Sequence, residues 1–107
     1  MRFMPATLDL SHLTADVFCP LVGDVFKLSE VGSSVALTLA AVEARPLQTG
    51  PGGREPFSLL LHGPVAPVLP QRIYALDHDG LGQLHIFLVP VGPALGVSVM
   101  RYEAIFS

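Results

Sequence analysis

The sequence is poor in several things at once. It holds one cysteine, Cys19, no tryptophan, and only 14% charged residues in 107. A single thiol cannot close an intrachain disulfide, so the stapled scaffolds of small secreted domains are excluded. The net charge is −3, and the six basic residues stand apart as Arg2, Lys27, Arg45, Arg54, Arg72 and Arg101. Scattered cations of that kind make no footprint for nucleic acid. Long apolar runs are also missing. Asp9, His12 and Asp16 interrupt the N-terminal stretch, so no signal-peptide core is read there, and synthesis in the cytoplasm is expected. Presence outside the cell would then need a non-classical or phage-like release. The most apolar segment, residues 84–100, is cut by Pro90, Gly92, Pro93 and Gly96, which argues against a membrane helix.

What is present is apolar and punctuated. Half the residues are hydrophobic, and ten glycines and ten prolines divide them into short segments. That spacing favours strands and turns over long helices. The length predicts one domain able to bury its own core, with residues 1–20 as an N-terminal arm and 21–107 as a β core. One short helix is expected within "SHLTADVF" (11–18), with Thr14 placed to cap it and Pro20 to stop it.

Six strands follow from the period-2 pattern. "GDVFKLS" (23–29) sends Phe26 and Leu28 one way. "VALTLAAVEARP" (35–46) changes parity between Leu39 and Val42, which calls for a β-bulge near Ala40-Ala41. "PFSLLLH" (56–62) puts Phe57, Leu59 and Leu61 on one face. "QRIYALDH" (71–78) and "GQLHIFLVPV" (82–91) are joined by "HDGLG", a hairpin in which Asp79-Gly80 can take positive φ. "GVSVMRYEAIF" (96–106) closes the set with Met100, Tyr102, Ala104 and Phe106 on one side. The proline-rich "GPVAPVLP" (63–70) cannot pair as a central strand. With no helices alternating between strands, a parallel sheet is excluded. The expected fold is all-β: a small antiparallel six-stranded barrel or a compact sandwich. Phe57, Leu59, Ile86, Leu88, Tyr102 and Phe106 are the expected core. Strand 84–91 is apolar on both faces, so its second face needs a cover. The N-terminal segment or another subunit would supply it.

The order "FCPLVGxxF", "REPFSL", "LPQxxY", "HxxLG", "FLVPV" and a final "YEAIF" resembles an uncharacterised family of small, β-rich bacterial proteins known as a domain of unknown function. The resemblance covers residues 18–106, with "REPFSL" and "YEAIF" its most specific pieces. Ser107 stands where that family often has Asn. The resemblance implies a stand-alone domain whose genes neighbour those of phage-tail-collar-like fibre proteins, and it carries no catalytic residue onto this chain.

Read for chemistry, the residues favour structural roles. Ser58 lacks the glycine-flanked elbow of a nucleophilic serine and is expected to face solvent or a partner. Cys19, in an apolar context before Pro20, is expected to be a buried thiol. Asp77 and Asp79 flank a turn, where Asp is favoured for backbone reasons. "GPGGRE" lacks the Lys-Ser/Thr of a phosphate loop. An even hairpin loop would put His78 and His85 on one face, still one ligand short of a metal site. No metal and no cofactor are therefore expected. Arg54 sits at a strand end, beside the glycine-rich loop, where it would either anchor that loop through Glu103 or Asp77 or grip an anion. The leading expectation is a non-enzymatic assembly module that associates with itself or with a larger structural protein, such as a phage-tail-like or fibre protein, through Leu60, Phe87 and Val89. The alternative is a small ligand-binding barrel, with or without a weak enzymatic activity, whose pocket would be lined by Tyr74, His78 and Tyr102.

Overall fold

The computed structural model describes residues 13–29, 35–44, 56–94 and 96–106. Arg54, Glu55 and His12 lie outside them, so the loop-anchoring or anion-gripping role expected of Arg54 has no geometry. Six antiparallel strands form a closed barrel: β1 (Val25–Leu28), β2 (Ala36–Ala44), β3 (Phe57–Gly63), β4 (Arg72–His78), β5 (Gly82–Pro93) and β6 (Met100–Phe106). Their order around the wall is β1-β2-β3-β6-β5-β4, and β1 closes the ring on β4 through Lys27↔Asp77 and Leu28↔Leu76. Closure decides between the two expected all-β forms in favour of the barrel.

Alternation makes the interior. Phe26 and Leu28, Leu37 and Leu39, Phe57, Leu59 and Leu61, Tyr74 and Leu76, Leu84, Ile86 and Leu88, and Tyr102, Ala104 and Phe106 are all buried. The parity change in β2 is real: the β2–β3 register shifts between Leu39 and Ala41. An extra residue there lets Val42 pair with Leu59 and pack against the core after Leu39 has already done so. A second register shift, between Pro90 and Gly92, lies in β5. It lies inside the second half of β5, where Val89 to Pro93 pair with β6, beyond the first half, Gly82 to Leu88, which pairs with β4.

The two ends of the barrel are built differently. At the end where β6 finishes, here the bottom, α1 (Ala15–Phe18) drives Phe18 inward until it is fully buried. Its ring lies 5.9 Å from Phe57 and 5.7 Å from Phe106, which themselves stack at 4.6 Å. Phe18 thus packs into the same core as the strand residues, although it lies in the segment expected as an N-terminal arm. The Thr14 side chain makes no capping bond; its carbonyl accepts from the Val17 amide at 3.0 Å. The α-helix ends at Phe18, two residues before Pro20 as expected, and the chain runs on through a 3-10 turn, Cys19–Leu21, that contains this proline. At the top, the proline-rich connection is tied down by two buried tyrosines. The Leu69 amide donates to the Tyr102 hydroxyl at 2.8 Å, and the Tyr74 hydroxyl donates to the Pro70 carbonyl.

Several local expectations fail. In the β4–β5 hairpin Gly82, not Asp79 or Gly80, takes positive φ (81°). His78 pairs with Gly82, leaving the three residues 79–81 between them, so the loop is odd. β6 begins at Met100, after a turn in which Gly96 has φ 79°. Cys19 is exposed, because the 3-10 turn carries it past the plug rather than into it. Ser58, on the outward parity of β3 between Glu43 and Ile105, is buried rather than solvent-facing.

Candidate functional site

The odd hairpin separates the two histidines expected together. His85 pairs with Ala75 on the outer wall and is exposed, whereas His78 turns inward at the bottom rim and is buried. They do not share a face, which removes the basis for a paired metal site. Among the described residues no three His, Cys, Asp or Glu side chains are grouped to hold an ion.

His78 is instead the centre of a clasp. Its ring stacks on Phe26 at 4.7 Å. Nδ1 accepts from the amides of Gly80 and Leu81, both at 3.0 Å. An Nδ1 that accepts two bonds carries no proton, so Nε2 bears it and donates to Asp24 Oδ2 at 2.8 Å. Both nitrogens are thereby used: one holds the hairpin turn, the other holds the entry to β1. A general base needs a free lone pair facing substrate, and this ring offers none. The sequence carried a signal for the clasp in the Asp79-Gly80 turn after His78, but the partner Asp24 is 54 positions away and was not foreseen.

Around the clasp lies an open cleft of about 650 Å³, lined by Leu21, Asp24, Val25, Lys27, Asp77 and Asp79 among others. Tyr74 and Tyr102 are not part of it. Their hydroxyls serve the top connection, at the opposite end of the barrel, so the three side chains expected to line one pocket are not brought together.

The outer wall holds the other candidate. Phe87 and Ile73 are directly paired across β4 and β5, and both are exposed, at 46% and 60%. Val89 follows Phe87 on the same face. It pairs with Glu103, which pairs in turn with Leu60. Val89 and Leu60 are half-buried. The three expected interface residues therefore fall on one outward stripe across four strands, with Glu103 set into it and Ile73 added. Ile73 was missed because "RIYALDH" reads as one more core strand until its partner is known. The plug α1 lies at the bottom end against Phe57 and Phe106, so among the described residues the N-terminal segment is not the cover of this stripe.

These features define a class: a small antiparallel barrel with a packed apolar interior, a ring-lined plug at one end and an apolar stripe outside. The chain belongs to the family described as Domain of unknown function (DUF6916), whose model matches residues 13–106. No curated protein and no solved structure matches it. No helix among the described residues is long and apolar enough to cross a membrane.

Proposed function

We propose that this domain is a non-enzymatic assembly module that associates with copies of itself through the outer stripe of β4, β5, β6 and β3. The observation that carries the reading is the Ile73–Phe87 pair. Two large apolar side chains opposite each other on a sheet face, both about half in water, are an unsatisfied surface. Barrel closure accounts for only one face of β5, since Leu84, Ile86 and Leu88 fill the interior. The other face keeps Phe87 outward beside Val89. Packing an aromatic of that size against a partner contributes on the order of 1–2 kcal/mol from the area it still exposes. A closed two-fold dimer is the simplest arrangement for one stripe meeting its own copy. Docking on a larger structural protein would use the same stripe.

The filled interior supports this reading over a ligand-binding barrel, as does the engagement of both His78 nitrogens. The test is Phe87→Glu combined with Val89→Lys, which puts charges where desolvation is costly. The expected result is a folded variant that has lost the parent's two-fold contact, read as a fall in mass by sedimentation velocity, with circular dichroism checking the fold. A variant that keeps the parent's mass shows that the stripe is not the interface.

A further inference from the structure

The two ends of the barrel differ in charge as well as in construction. Among the described residues, the bottom carries Asp16 on α1, Asp24 before β1, Glu43 near the end of β2, and Asp77 and Asp79 around the hairpin; all five are exposed. Among the described residues Lys27 is the one cation near them; Arg45 and Arg54, in the connection from β2 to β3, lie outside those residues. The top carries Arg72 at the start of β4 and Arg101 at the start of β6. The loops between those arginines hold no charge at all: neither residues 63–71 nor residues 89–100 contain an Asp, Glu, Lys or Arg. They expose valines instead, Val65, Val68 and Val97, each at least half accessible. Val97 stands at the tip of the β5–β6 hairpin, which the Ala94 amide closes on the Val99 carbonyl at 3.1 Å. Below that tip, Arg101 Nε donates to the Gly92 carbonyl at 3.2 Å, which fixes its direction.

The bottom offers the counterpart. Its cleft has an apolar wall in Leu21 and Val25 and a rim in which Asp24, Asp77 and Asp79 outnumber Lys27. Tip and cleft lie at opposite ends of one barrel, so they cannot meet within a chain. We propose that copies stack head to tail along the barrel axis, the valine tip of one, with Arg101 below it, seating on the acidic cleft of the next. Opposite potentials meet in this arrangement, whereas head-to-head or tail-to-tail contacts would oppose like charges. Such a contact is heterologous: it closes into a ring if the rotation allows and extends into a filament if not. It goes beyond the side-to-side stripe, and the two contacts use different residues.

The experiment uses two variants of the full chain, Val97→Asp and Asp77→Lys/Asp79→Lys, both at exposed positions. Each is checked for folding by thermal melt and measured by sedimentation velocity at low and moderate salt, alone and as an equal mixture. Each alone should lose the head-to-tail component, at least tenfold in apparent association constant. The mixture should regain it, because the wild-type tip of one fits the wild-type cleft of the other and the new charges pair. Added salt should weaken association of the parent. Either variant associating like the parent, or a mixture no larger than its components, overturns the stacking. Phe87→Glu/Val89→Lys separates the two contacts: if it alone abolishes association while both end variants keep the parent's mass, the stripe stands and the stacking falls.

Discussion

Replacing Phe18 with alanine should be as damaging as removing a side chain from the barrel wall itself. The side chain comes from a four-residue helix with no side-chain cap, an element too short to be stable in isolation. Yet Phe18 is fully buried and touches two rings, Phe57 and Phe106. Phe→Ala in a core costs about 3–5 kcal/mol, from lost transfer energy and from the cavity left behind. Against a total stability of about 5–15 kcal/mol, that is a large fraction. Urea unfolding followed by circular dichroism should show the midpoint falling by that amount with the slope nearly unchanged. Phe57→Ala should cost about the same. Because the two rings touch, the double variant should miss the sum of the singles by about 0.5–1.5 kcal/mol. If Phe18→Ala loses under about 1 kcal/mol while Phe57→Ala loses several, α1 is a loosely attached arm and the plug does not exist.

Gly63→Ala should destabilise by about 1–3 kcal/mol in the same assay, since an added Cβ would come within 2.5 Å of Leu37 Cδ2 and 3.3 Å of the Tyr102 ring; a neutral effect would mean that the top of the barrel has slack. His78→Ala strips the Gly80 and Leu81 amides of their acceptor and should cost about 1–3 kcal/mol, whereas Asp24→Ala, at a half-exposed carboxylate, should cost at most about 1 kcal/mol. The reverse order would assign the clasp to the ion pair rather than to the turn. Nitrogen NMR of the His78 ring should show the proton on Nε2; a proton on Nδ1 contradicts the hydrogen-bond assignment.

Most of the barrel was legible because its interior depends on alternation, and alternation is written residue by residue. All six expected core residues are buried, and the β2 bulge appears where Leu39 and Val42 conflict. What was not legible depends on counts and contacts that parity does not carry. One residue fewer in the hairpin loop turns His85 away from His78, and nothing in "HDGLG" fixes that number before the register is known. Cys19 sits in an apolar string, but the 3-10 turn at Pro20 rotates it outward. Phe18 was read as part of an arm because a four-residue helix has too little pattern to reveal the aromatic slot it enters. The Asp24–His78 bond joins the start of β1 to the end of β4 and needed the closed topology to be seen, whereas the Ile73–Phe87 pair lies within the β4–β5 hairpin and needed its register. Phe87 and Val89 were expected outside the interior because β5 is apolar on both faces, an excess that one barrel interior cannot absorb, and Leu60 because it alternates with Leu59 and Leu61 on β3.

The claim that this barrel exists to assemble is tested most directly by the mass of the unmodified chain in solution. Sedimentation equilibrium from low to high micromolar concentration should give a weight-average mass rising above the 11.4 kDa of one chain toward integral multiples of it. A mass that stays at 11.4 kDa over the whole range, with no partner co-purifying, contradicts the account and makes a ligand-binding barrel, with the acidic cleft beside His78 as its site, the better reading.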